Sequence, residues 1–351
     1  MSARRQWPPW APRQGLGPGA RPRHRFLRRA LAITLVTVLT LLGLGIGGAW
    51  WATDHYGDQV TRIPDAFPDG PRPPESDSSD GGTTFLLAGV DSRSKRPTTG
   101  KDAAAQLWKY GAQRSDTLML VHLSADESTA YTMSIPRDSW VPIPGHGSAK
   151  INAAFSWGGP PLLIQTVEQL TGTRVDHFGV IDWHGFRSLT DAVGGVPVTV
   201  PANTYDPEQQ RHFRAGTHTM KGEEALAYVR QRHGLPGGEL DRIKHQQQFL
   251  TSLVGEVRGG VDITDPFGTD KMLDAITRTV SVDDRMSNGD LRGLVLGLRH
   301  LHASDTRFAT APIVRSETIR GQYALILDRE KLRAECRAIE SGAPQTRGGS
   351  S

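Results

Sequence analysis

The residues able to do chemistry fall at the ends of strand-like runs. Asp91 follows FLLAGV, Arg114 and Asp116 belong to the RSDT that opens TLMLVHL, and Arg137 lies in SIPRD as a third apolar run closes. Ligand sites in open α/β sheets gather at such edges. Asp91 and Asp116 can offer two carboxylates to Mg²⁺, which takes one or two and completes its shell with water and phosphate oxygens. Arg114 and Arg137 suit the same phosphates, because a guanidinium fork matches an oxyanion. Each piece alone also has an ordinary reading: Asp91 as a turn or capping residue, Arg114 with Asp116 as a surface pair, Pro136 as a strand terminator.

A second group lies in LAYVRQRHGLPGGELDRIKHQQQ, residues 226–248, which holds Arg230, Arg232, Arg242 and Gln246. Arg230 and Arg232 share a face only in extended backbone, since a helix would splay them by about 200°. The expectation is therefore a helix that starts near Lys221 and ends close to Val229. Arg242 and Gln246 are one turn apart on the next helix, beside an apolar stripe of Ile243, Leu250, Val254 and Val257 that packs on a core. Three guanidiniums and an amide converging on one cleft suit a diphosphate. A solvated basic surface is the plainer alternative.

These residues need a scaffold. Runs at 83–90, 117–123 and 129–135 read as apolar strands bounded by turn residues. Pro161 to Leu170 reads as a helix closed by Gly172. HFGVID, a helix to Val193, Gly194-Gly195 and VPVTV read as a βαβ-like unit. Helices follow near 221–229, 240–258, 268–280 and 287–302, strands near 307–312 and 323–328, and a closing helix to about 339. Such alternation implies an α/β fold, a central mixed sheet flanked by helices on both faces.

Composition limits the function classes. The net charge of +4 misleads: eight arginines and no acid lie in residues 1–30, and the rest carries 33 Lys and Arg against 37 Asp and Glu. The folded part therefore has no overall bias toward nucleic acid, and no nucleic-acid partner is expected. One cysteine, Cys336, excludes an intramolecular disulfide. The 12 histidines show no ligand spacing, and no phosphate-binding P-loop, GxSxG elbow or HExxH motif occurs.

Ala30 to Ala52 is an uncharged run of 23 residues with Trp50 and Trp51 at its far end. It is long enough to span a bilayer, and the arginines before it place the N-terminus in the cytoplasm. The expected order is a basic cytoplasmic tail (1–29), one transmembrane helix (30–52), a Pro/Gly/Ser-rich linker (53–82), an extracytoplasmic catalytic domain (83–340) and a disordered tail (341–351). This makes a single-pass protein of the cell membrane.

Taken in order, LLAGVDSR (86–93), RSDT (114–117), SIPRDSWVPIP (134–144), KINAAFSWGG (150–159), HFGVIDWHGFRSLTDAVGGVPV (177–198), GTHTMKGEEALAYVRQRH (216–233) and DRIKHQQ (241–247) resemble the LytR-CpsA-Psr family of cell-wall glycopolymer ligases. The resemblance implies an α/β domain that binds a polyprenyl diphosphate, the lipid in an apolar tunnel and the diphosphate at its mouth. It implies Mg²⁺ as cofactor, held by Asp91 and Asp116, and catalysis by Asp91, Arg114, Asp116 and Arg137. Arg230, Arg232, Arg242 and Gln246 would hold the diphosphate, with Arg93 and Lys150 matched by motif, as is Asp138. The loop 94–113 is longer than the family pattern.

The implied reaction moves a phosphate-linked glycopolymer from a polyprenyl-diphosphate carrier to a peptidoglycan hydroxyl and releases polyprenyl monophosphate. A hydrolase of the same lipid diphosphate and a non-catalytic envelope regulator are the alternatives.

Overall fold

The computed structural model describes residues 57–74, 81–92, 94–126, 128–260, 274–297 and 306–342. The expected cytoplasmic tail and span, Arg93, the middle of the linker (75–80) and most of the C-terminal tail lie outside these residues. Among the described residues no helix is long and apolar enough to cross a membrane.

In chain order the elements are β1 (Thr61–Ile63), β2 (Thr83–Asp91), β3 (Arg114–Leu123), β4 (Ala130–Ser134), β5 (Trp140–Ile143), β6 (Gly147–Lys150) and α1 (Asn152–Thr171). There follow β7 (His177–Asp182), α2 (Trp183–Ala192), β8 (Val196–Val200), β9 (Thr204–Asp206), β10 (Arg211–Phe213), β11 (Gly216–Met220), α3 (Gly222–Arg230) and α4 (Glu239–Gly260). The chain continues through β12 (Val280–Asp283), α5 (Asn288–Gly297), β13 (Thr306–Thr310), β14 (Ile313–Ile319), β15 (Gln322–Leu327) and α6 (Arg329–Glu340).

A mixed sheet of seven strands, ordered β1-β12-β7-β2-β3-β4-β13, forms the centre. β2 is antiparallel to β3 and parallel to β7. Alternation along β2 explains why the sheet separates two environments. Leu86, Ala88 and Val90 are at most 3% exposed and join Phe155, Leu163 and Val167 of α1 in the main core. Leu87, Gly89 and Asp91 turn to the other face, where they line a cavity under α2, α3 and α4.

A bulge in β3 decides which residues join them. Gly89 pairs with Thr117 but Val90 pairs with Ser115, so Asp116 is the extra residue. A bulge shifts the side-chain parity of its strand. Thr117 and Met119 beyond it, Asp116 itself and Arg114 before it consequently face the cavity together, while Ser115 and Leu118 stay on the buried face.

Three expectations are corrected. The stretch 57–74, read as part of a linker, packs on the domain: β1 pairs with β12, Ala66 and Phe67 are buried, and Arg72 bonds Glu168 at 2.6 Å. Proline and glycine there shape an extended path, and a few apolar side chains and one guanidinium suffice to fix it. VPVTV does not return to the central sheet. Gly194 and Gly195, at φ 85° and 103°, turn the chain away, and β8 pairs with β11 in a separate two-stranded sheet. The helix expected to run to residue 280 gives way at Val280 to β12, whose β-branched Val280 and Val282 fill an open place beside β7.

α1 also starts earlier than its expected Pro161. Gly158 and Gly159 break its helical geometry, and the two prolines then follow as a fresh first turn. Gly159 has φ 62°, and a Cβ there would meet the Trp108 ring at about 3.0 Å. Trp108 belongs to the long 94–113 loop, and Trp108 and Gly111 both donate to the Ser156 carbonyl. The loop is thereby fastened against α1, and none of its described residues lines the cavity.

Candidate functional site

The cavity, about 1040 Å³, receives every candidate residue that the structure describes: Asp91, Arg114, Asp116, Arg137, Lys150, Arg230, Arg232, Arg242 and Gln246, with Asp138. Its far wall is apolar, with Phe186 and Leu189 of α2, Leu226 of α3, and Phe249 and Leu253 of α4. On α4 the residues Arg242, Gln246, Phe249 and Leu253 recur at helical spacing, so one helix face runs from charge to hydrocarbon.

The charged end is organised around Arg137, which follows β4 by way of Pro136. Its Nη1 donates to Asp116 Oδ1 at 2.6 Å. Burial lowers the Arg137 pKa, but Asp116 beside it, with Glu239 and Asp138, outweighs this and the pKa ends raised. Next along the chain, Asp138 is 4% exposed and accepts from Lys150 Nζ at 2.8 Å. Lys150 thus steadies Asp138 while itself lining the cavity.

α3 ends at Arg230, one residue beyond the expected stop, and Gln231 at φ −56°, ψ 126° turns the backbone extended. The fully buried Gln231 points inward and bonds Thr204, so Arg230 and Arg232 are both presented to the cavity. The Arg230 guanidinium stacks on Trp183 with Cζ 3.5 Å from the ring centroid. Desolvation lowers its pKa, with Asp116 and Asp91 pulling the other way. Gln246 lines the cavity, yet its Nε2 donates to the Val229 carbonyl at 3.2 Å. Its amide nitrogen is therefore engaged in holding the end of α3 that carries Arg230.

Arg242 is 4% exposed and ion-paired to Glu239, itself 6% exposed, one turn before it. Burial raises the Glu239 pKa against the pull of Arg242 and Arg137. Burial likewise lowers that of Arg242. Glu239 was missed in the sequence because an acid in a helix's first turn is ordinary there. Its spacing of three residues from Arg242 is the signal that could have found it. Trp183, directly after the β7 exit at Asp182, was missed as well.

Four buried side-chain atoms in this cluster have no hydrogen-bond partner: Arg137 Nε, Arg242 Nε, Asp138 Oδ2 and Glu239 Oε2. Each such atom costs about 1–3 kcal/mol, and a bound ligand, ion or water is the usual means of satisfying one. The two guanidinium donors suit an anion, and the two carboxylate oxygens a cation or a hydrogen-bond donor. Asp91 and Asp116, at the ends of neighbouring strands, form a donor set that suits Mg²⁺, which needs few protein ligands when phosphate and water supply the rest. Among the described residues no group of three or more His, Cys, Asp or Glu makes a protein-only metal cage.

Fold and cavity together define a mixed α/β protein in which a cationic cluster adjoins an apolar wall. The chain belongs to the LytR-CpsA-Psr family, whose model matches residues 61–339. The cell wall biosynthesis protein LcpA of Corynebacterium glutamicum is 32% identical over 320 residues, covering 83% of this chain and 60% of LcpA. The polyisoprenyl-teichoic acid–peptidoglycan teichoic acid transferase TagT of Bacillus subtilis is 35% identical over 177 residues, covering 49% of this chain and 51% of TagT. The chain spans about half to three-fifths of the length of these relatives. A structure of TagT bound to LIIa-WTA superposes with TM-score 0.59 at 25% identity, covering 79% of this chain and 99% of that one. B. subtilis TagV shares the fold with TM-score 0.60 at 24% identity, covering 76% and 99%.

Proposed function

We propose that this protein is a membrane-anchored phosphotransferase that moves a phosphate-linked glycopolymer from a polyprenyl-diphosphate carrier to a peptidoglycan hydroxyl. The observation that carries the reading is the shared cavity: guanidiniums with orphan donors at one end, hydrocarbon side chains at the other. An amphiphile with a diphosphate head and an isoprenoid tail matches that polarity. The name of TagT as a transferase of teichoic acid to peptidoglycan supports the reaction class. The uncharged 23-residue run after the arginine-rich tail supports an anchor, with the domain outside the cytoplasmic membrane.

In the reaction the acceptor hydroxyl oxygen attacks the phosphorus next to the glycan. The bond from that phosphorus to the bridging oxygen breaks, and the bridging oxygen leaves on polyprenyl monophosphate. The hydroxyl proton passes to a carboxylate, Asp91 or Asp116, both of which line the cavity. Arg137, Arg230, Arg232 and Arg242 hold the diphosphate and stabilise charge on the transferring and departing phosphates, the dominant contribution in such chemistry. Asp91 and Asp116 would hold Mg²⁺, which when bound neutralises phosphate charge. Trp183 keeps the Arg230 guanidinium flat against its ring and so fixes its direction.

A hydrolase would use the same pocket with water as acceptor. The full chain in detergent, given a lipid-linked diphosphate glycan and muropeptides, is expected to yield a muropeptide joined to the glycan through one phosphate, with equimolar polyprenyl monophosphate. Equal lipid cleavage with and without muropeptide, and no adduct, would establish the hydrolase. No cleavage under either condition would establish a binding protein.

A further inference from the structure

Part of the cavity lining lies outside the charged cluster and is built differently. Two hairpins, β5–β6 and β14–β15, contribute to it. Val141 and Ile143 of β5 are buried in the main core, so alternation turns Trp140 to the opposite side, where it lines the cavity. Trp157 of α1 lines it too, its ring tilted against His146 with centroids 5.2 Å apart. Ser148 of β6 and, from the other hairpin, Arg320 and Gln322 complete the rim. Arg320 takes φ 52° in a two-residue turn with Gly321 at φ 76°. Asparagine or glycine would adopt that left-handed geometry with less strain.

Two indoles edged by hydroxyl, imidazole, amide and guanidinium groups match neither the lipid nor the diphosphate. A prenyl chain needs no polar rim, and a phosphate needs no indole. A pyranose needs both: its C–H face lies on an aromatic face, and its hydroxyls bond the polar edge. The location agrees. Trp140 pairs across the hairpin with Lys150, whose Nζ lies 2.8 Å from Asp138 in the charged cluster. A sugar on Trp140 would therefore abut the phosphates.

We propose that Trp140, Trp157, His146, Ser148, Arg320 and Gln322 form a pyranose subsite beside the phosphate-binding cluster. The assignment rests on the proposed transferase reading for the presence of a glycan, and on the rim alone for its location. The sugar has two sources, the donor's first residue or the acceptor's disaccharide.

Calorimetric titration of the full chain in detergent separates them, with three probes: bare polyprenyl diphosphate, polyprenyl-diphosphate N-acetylglucosamine, and the N-acetylglucosamine–N-acetylmuramic acid disaccharide. Trp140→Ala is expected to weaken at least one sugar-bearing probe by about tenfold, about 1.4 kcal/mol, while bare polyprenyl diphosphate binds within about twofold of wild type. Trp140→Phe should restore most of the loss. A loss confined to the lipid-linked sugar assigns the subsite to the donor, one confined to the disaccharide assigns it to the acceptor, and a loss of both makes it common to the two. Unchanged or undetectable binding of both sugar probes overturns the subsite, as does an equal loss for bare polyprenyl diphosphate. A wild type that binds sugar through Trp140 yet transfers nothing keeps the subsite and removes the transferase. A wild type that transfers with Trp140→Ala binding unchanged does the reverse.

Discussion

Arg137→Ala is expected to lower glycopolymer transfer by about 10³–10⁵-fold, the scale at which one arginine supports phosphoryl transfer. The fold should lose far less than the reaction does. The pair with Asp116 is mostly buried, at 22% and 17% side-chain exposure, and a hydrogen bond between charged groups in such a setting contributes about 1.5–3 kcal/mol. What the substitution removes is the guanidinium that fixes Asp116 at the bulge and carries an orphan Nε in the charged cluster. Arg137→Lys keeps the charge but not the fork, and should fall between. The check is the transfer rate beside the melting temperature. A rate within a few-fold of wild type, with the fold intact, would show that the cluster is misassigned.

Arg242→Ala should instead damage the fold as well as the reaction. Its removal leaves Glu239 buried without its cation, at a cost of about 3–5 kcal/mol, or about 10 °C in melting temperature for a domain of this size. The loss should depend on pH with a definite sign. Burial already raises the Glu239 pKa, and without Arg242 the protonated form is favoured further. A group whose folded pKa lies above its unfolded value stabilises the fold below the unfolded value and ceases to do so as pH rises through the folded one. The variant should thus be weakest near neutral pH and recover toward the ordinary carboxylate range near 4.5. The double substitution Glu239→Gln with Arg242→Met should restore most of the stability but none of the transfer. Thermal melts across about pH 5–8 test this. A single variant that melts like wild type at neutral pH would show that the pair holds nothing together.

Much of this site was legible in the sequence because its residues obey simple periodicities. FLLAGV is an unbroken apolar run, which put Asp91 at a strand end; Arg230 and Arg232 required extended backbone, and α3 duly stops between them. Arg242 and Gln246 shared a helix face as their spacing demanded. Their roles were less legible. Nothing in RSDT reveals that Asp116 is a bulge residue, because a bulge depends on which strand lies opposite. Gln246 spends its amide nitrogen on the Val229 carbonyl, a contact set by how α4 lies along α3. The hairpin β5–β6 has Pro142 inside its four-residue first strand and only Ala149 as an apolar residue in its second, which hides it as a strand pair, and its form depends on turn glycines such as Gly145. β1 and β12 are strands because an open place beside β7 accepts them, which no local pattern could announce.

Native mass spectrometry of the full chain, extracted from its own membranes in mild detergent, bears most directly on the cavity as a polyprenyl-diphosphate site. Wild type is expected to carry one isoprenoid diphosphate, with or without attached sugar, and Arg230→Ala combined with Arg232→Ala to lose it while remaining folded. Wild-type protein that carries no isoprenoid phosphate, and takes up none when bare polyprenyl diphosphate is added, would contradict the account.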